Sequence, residues 1–188
     1  MPRWQPGARE RFEAAALDLF VTQGFEQTTV AGIAAQAGLT ERTFYRHFTD
    51  KQEVIFGGGE RLRSLLTAEV AAAPAAMPAL QAVTLAFMHA ADAYFAGREP
   101  YVRKRQAVID ANPALQEREL QKLATLASAL ELTLRERGVS SRTASLAAES
   151  GTSVFKIAFA AWLETGNTLP LSDVIAQTAS DLRAIAAE

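Results

Sequence analysis

The chain has 188 residues, 49% of them apolar, a formal net charge of −2 and no cysteine. That length and apolar content belong to a folded chain, as one large domain or a small one plus a larger one, and exclude a disordered polypeptide. The missing cysteine excludes disulfides and thiolate metal sites. No apolar run nears the roughly 18 residues of a membrane span, and MPRWQPGARERFE lacks the apolar centre of a signal peptide, so the expected location is cytoplasmic, with no membrane contact.

Abundant alanine and the scarcity of Val, Ile and Thr runs predict an all-α fold. A first helix is predicted over 8–23, with Phe12, Ala16, Leu19 and Phe20 on one stripe. Gly24 is expected as a left-handed cap, with Phe25 folding back on Leu19 or Phe20. Thr28 or Thr29 caps a second helix whose inner face is Val30, Ile33, Ala34 and Ala37. Gly38 makes a turn. Thr40 caps a third helix, Leu39 staples onto Phe44, and Phe48 closes a small core. Asp50 is expected to cap a fourth helix, with Glu53 completing a capping box, running through Val54, Ile55, Leu62, Leu65, Leu66 and Val70. Pro74 and Pro78 end it. Further helices are predicted at about 79–96, 98–110, 114–137, 141–165 and 172–187, about nine in all.

The stretch 28–51 therefore reads as a helix-turn-helix, which lays its second helix in the major groove of DNA. Small Ala34 and Ala37 allow the two helices to cross closely. The third helix exposes Glu41, Arg42, Thr43, Arg46 and His47. Arginine can reach guanine O6 and N7, and a threonine methyl can touch a thymine methyl. The Tyr45 hydroxyl suits a phosphate oxygen. Backbone N–H groups at helix starts, assisted by Thr29 and Lys51, suit others. Glu41 serves either a base or the helix dipole, and His47 either a base or solvent. Arg3 and Arg9 form either a minor-groove arm or an uninvolved terminus. Charge gives no general support: residues 1–56 hold six Lys and Arg against seven Asp and Glu. Attraction to phosphates must come from local placement.

Arg9 to Lys51 resembles the DNA-binding domain of the TetR/AcrR family of transcriptional regulators. The likeness rests on A-A-L-D-L-F (15–20), G-F (24–25), T-T-V (28–30), I-A (33–34), A-G-L (37–39), T-F-Y-R-H-F (43–48) and Lys51, in that order and spacing. It implies a helix-turn-helix domain over 1–51 and a helical ligand-binding and dimerisation domain over 52–188. It also implies a homodimer, paired through the last two helices, that binds a palindromic double-stranded operator and is most simply a repressor released by a small hydrophobic or amphipathic inducer. The DNA-binding set would be Thr29, Thr40, Arg42, Thr43, Tyr45, Arg46, His47 and Lys51, with Tyr45 and Lys51 on the backbone.

In the body, the last two helices carry apolar stripes, Ala144, Ala147, Ala148, Gly151, Val154, Phe155, Ala158, Ala161 and Trp162, then Ile175, Thr178, Leu182, Ile185 and Ala186. Candidate inducer contacts are Phe87, Met88, Tyr94, Tyr101, Arg105, Phe155, Phe159 and Trp162, each of which also reads as core or surface ion pair. His89 and Asp92 share a face but lack a third ligand, so no metal and no cofactor are expected. The glycines at 57–59 lack the Lys-Ser/Thr of a phosphate loop, and no nucleophile elbow is present, so no enzyme is expected. The alternative function is a DNA-bound scaffold that recruits a protein without an inducer.

Overall fold

The structure, a computed structural model, describes residues 7–164 and 166–187. Among these, regular structure is entirely helical: α1 (Ala8–Gln23), α2 (Val30–Ala37), α3 (Glu41–His47), α4 (Gly59–Ala72), α5 (Ala79–Ala90), α6 (Glu99–Asp110), α7 (Pro113–Glu136), α8 (Ser141–Trp162) and α9 (Leu171–Ile185). A 3-10 turn at Glu53–Phe56 precedes α4, and a wider π turn at Ala91–Phe95 extends α5. No described helix is long and apolar enough to cross a membrane.

The chain groups into two compact units. The first runs to Gly58 and takes in Pro100–Glu119; the second holds Gly59–Glu99 and Leu120 onward. Burial in the first unit follows the apolar spacing. Phe12, Ala16 and Phe20 on α1 are buried, joined by Ala15 and Leu17, while Leu19 packs at the edge. Phe12 meets Phe44 edge-on at 5.3 Å between ring centroids, and Phe44 lies 5.1 Å from Phe48. Phe25 does fold back, 5.1 Å from Phe20. Val108, Ile109 and Leu115 of the α6–α7 segment complete this core. Gly24 has φ 87° but an extended ψ of 156°, so the chain leaves α1 more openly than a left-handed cap would.

The fourth helix departs from expectation. Asp50 Oδ1 does accept the Glu53 N–H at 2.8 Å, but it caps only the 3-10 turn, and Glu53 turns its carboxylate to Arg118 (3.0 Å). Val54, Ile55 and Phe56 are all buried, which fixes this short turn in the first unit. Three glycines follow, and glycine loses the most conformational freedom on entering a helix. The helical ladder therefore stops and restarts at Gly59.

In the second unit, α5 packs against α4, α8 and α9 and contributes Ala82, Val83, Ala86, Phe87 and Ala90 to the core. The small residues of α8 serve this contact. A β-carbon on Gly151 would lie 2.4 Å from Val83 Cγ1, so only glycine lets α8 come this close to α5. The α8 stripe is thus largely consumed within the chain. On α9 the buried face is Leu171, Ser172, Val174, Ile175 and Ala179; Ile185 and Ala186, expected on the stripe, are exposed.

Candidate nucleic-acid interface

Two threonine caps and one glycine set the reading helix. Thr29 accepts the Gly32 N–H at 3.0 Å and starts α2. Gly38 ends it in the left-handed conformation (φ 64°, ψ 37°), a region that costs an L side chain about 1–2 kcal/mol. The Gly38 and Leu39 N–H groups then return to the carbonyls of Ala35 and Ala34, at 3.0 and 2.9 Å, closing the end of the helix. Thr40 restarts the chain by accepting the Thr43 N–H at 3.2 Å. Only two residues, Leu39 and Thr40, separate the left-handed glycine from α3. The turn is tight because its backbone groups are satisfied locally.

Phe44 and Phe48 fix the inner side of α3 in the core. That leaves Arg42, Tyr45 and Arg46 exposed, Tyr45 at 57%, and together with half-buried Thr43 they line one open hollow. The Tyr45 ring stands edge-on to Phe44 at 5.5 Å, so its root is anchored while its hydroxyl end is free to reach outward. Two guanidinium forks and a phenol on a short rigid helix can donate to base edges and phosphates. His47 is less free. It is half-buried, its ring lies 6.4 Å from that of Phe12 and 6.3 Å from that of Phe48, and its Nε2 is buried with no hydrogen-bond partner. Lys51 crosses to the turn that leads into α2. Its ammonium donates to the Phe25 carbonyl at 2.8 Å and sits 4.2 Å over the Phe25 ring. It also reaches the Glu26 carbonyl at 3.4 Å, and an ammonium has three protons, so one is left for a further acceptor such as a phosphate oxygen.

Sequence reasoning missed the braces behind this surface. Arg11, on α1, donates Nη2 to the Ala37 carbonyl and to the Gly38 carbonyl at 3.3 Å. A cation at that point also faces the negative end of α2. Arg9, weighed above as a minor-groove arm, donates to the Gly57 carbonyl at 2.8 Å, pairs with Glu13 at 3.2 Å and lies over the Phe48 ring. Arg3 lies outside the described residues. Thr28 is buried and donates its hydroxyl to the Gly24 carbonyl at 2.8 Å. Apart from Arg9–Glu13, an i,i+4 pair on α1, and the local Thr28–Gly24 bond, these contacts join residues far apart in the sequence and have no periodic signature.

The candidate inducer contacts divide. Phe87, Phe155, Phe159 and Trp162 belong to the second unit and form one ring cluster with Phe95; Phe87 stacks on Phe155 at 4.6 Å. Tyr94 adjoins it, with the Arg98 guanidinium 5.0 Å over its ring, and Met88 is half-buried on α5. Tyr101 and Arg105 belong to the first unit. There Tyr101 packs on the core, and Arg105 donates to the Ile55 carbonyl at 2.9 Å, pairs with Glu119 at 3.2 Å and covers Phe56. His89 pairs with Glu69 at 3.0 Å.

A capped helix-turn-helix with a charged outer face has the form of an element that enters the major groove of DNA. Residues 14–56 match the family described as bacterial regulatory proteins, tetR family. The chain is 38% identical over 79 residues to the transcriptional regulator TcmR of Streptomyces glaucescens, 42% of this chain and 35% of that one. Such matches span about a third of the length of the curated relatives. Two solved structures share the fold over nearly the whole chain. SmeT, the repressor of a Stenotrophomonas maltophilia multidrug efflux pump, solved with triclosan, is 18% identical over 93% of this chain and 90% of its own, at a TM-score of 0.60. NalD, the secondary repressor of the MexAB-OprM pump of Pseudomonas aeruginosa, is 17% identical over 94% of both chains, at a TM-score of 0.60. Residues 14–56 thus carry a helix-turn-helix domain of the tetR family's kind, and the described chain shares the fold of these two solved repressors.

Proposed function

We propose that this chain is a cytoplasmic repressor that binds a palindromic operator as a homodimer and leaves it when a small hydrophobic ligand binds the body. The observation that carries the reading is α3: Phe44 and Phe48 lock one side into the core while Arg42, Thr43, Tyr45 and Arg46 gather on the other. Residues 1–51 would read DNA, and 52–188 would carry the ligand and dimer functions. The solvent side of α8 supports the dimer. Leu146 and Ile157 are 62% and 57% exposed, and with Ser150 and Ser153 between them they follow helical spacing on one stripe. Pairing this stripe and α9 with a second copy gives a two-fold arrangement, which a palindrome requires. The aromatic cluster supports a hydrophobic ligand, entering where Tyr94 and Phe159 are only half-buried; the fold shared with efflux-pump repressors, one of them solved with triclosan, points the same way.

Ligand would act by favouring a state whose two reading helices no longer match successive grooves, about 34–36 Å apart. Selecting bound DNA from a random pool tests the reading directly. A palindromic consensus is expected. Arg42→Ala then relaxes base preference at one position of each half-site, while Lys51→Ala weakens all sequences alike and lowers the salt dependence, each variant's folding being checked by thermal denaturation. No consensus, or unchanged binding by both variants, would overturn it.

A further inference from the structure

Thr43 lines the α3 hollow with Arg42, Tyr45 and Arg46, yet its hydroxyl is already engaged. The Thr43 and Thr40 hydroxyl oxygens lie 2.9 Å apart, and Thr40 also accepts the Thr43 backbone N–H at 3.2 Å. This pair belongs to the cap that starts α3, so the Thr43 oxygen is held toward Thr40 at the helix start. The other branch at Cβ is a methyl, and it has no such tie. A threonine can read DNA in two ways, by a hydroxyl hydrogen bond or by apolar contact with the 5-methyl of thymine in the major groove. With the oxygen held toward Thr40, the cap favours the second.

We propose that Thr43 is a specificity residue that reads the 5-methyl group of one thymine in each operator half-site through its own γ-methyl, its hydroxyl remaining on Thr40. This rests on the DNA-binding reading above and goes beyond it by naming the base and the atom recognised. It separates Thr43 from its neighbours in the hollow. Arg42 and Arg46 donate hydrogen bonds and add charge; Thr43 adds neither, and its contribution is independent of salt.

The test uses the operator selected from a random pool. Each thymine is replaced in turn by deoxyuridine, symmetrically in both half-sites, which removes the methyl and leaves every hydrogen-bonding group. Binding is measured for the wild type, Thr43→Val and Thr43→Ser. Burying one methyl group against another in each half-site is expected to be worth about three- to fivefold, so the symmetric change lowers wild-type affinity about tenfold or more at one thymine pair. Thr43→Val, which keeps a γ-methyl, retains that sensitivity and near wild-type affinity. Thr43→Ser, which keeps the hydroxyl and the cap, loses affinity for the thymine operator and becomes indifferent to the substitution. The proposal is overturned if Thr43→Ser binds like the wild type and stays methyl-sensitive, if Thr43→Val loses binding while remaining folded by circular dichroism, or if no thymine pair is sensitive. Failure to select any operator would instead overturn the DNA-binding reading itself, so the two failures are distinguishable.

Discussion

Arg11 braces the helix-turn-helix from behind, outside its exposed α3 face. It reaches from α1 to the carbonyls of Ala37 and Gly38, where α2 ends and the turn begins. A charge-assisted hydrogen bond at a helix C-terminus combines two favourable effects, so Arg11→Ala is expected to destabilise the chain by about 1–2 kcal/mol in chemical denaturation. It should also weaken binding to every DNA sequence equally, because it loosens the angle of α3 without touching a base. Arg11→Lys, a point charge without the fork, should recover part of the stability. Wild-type stability in Arg11→Ala would mean that the contact carries no strain of the turn. This contact was invisible in the sequence. Its partners are backbone carbonyls 26 and 27 positions away, and a carbonyl has no residue identity to recognise. The threonine caps were legible for the opposite reason: Thr29 and Thr40 act within three residues, so their chemistry and spacing sit side by side in the sequence.

The elements show the same division between local and distant causes. Helix starts and stops followed glycine, proline and capping residues closely, from α1 at Ala8–Gln23 to α7 at Pro113–Glu136. The break before α4 was misread because Val54 and Ile55 continue an apolar rhythm into a segment that three glycines uncouple. Which partner a stripe faces was harder still. The small residues of α8 announced close packing, and it is Val83 of α5, in the same chain, that they approach. Gly151→Ala should therefore overpack this contact and cost about 1–3 kcal/mol. Val83→Ala in the same chain removes the opposing methyls, and the double variant should be more stable than the two single effects added together predict. Additive losses in a denaturation double-mutant cycle would show that α5 and α8 yield to the extra carbon by shifting apart.

At the scale of the whole molecule, a seven-residue reading helix on a domain with no net positive charge is a weak DNA ligand by itself. A single half-site contact has little of the phosphate neutralisation that supports tight binding. Two copies held at fixed spacing change this, since the second half-site is then met at an effective concentration in the millimolar range. In the proposed dimer this pairing is where affinity arises, and the proposed α8 face gives it a place. Replacing Leu146 and Ile157 together by glutamate puts like charges opposite each other across a two-fold axis while leaving the buried side of α8 intact. Sedimentation should then report a monomer with unchanged helical content, and affinity for the full palindrome should fall by about 10²–10⁴ toward that for an isolated half-site. Half-site binding itself should not change, because α3 is untouched. A variant that still sediments as a dimer would remove α8 from the interface, and one that is monomeric yet binds the palindrome as tightly would remove the dimer from the mechanism.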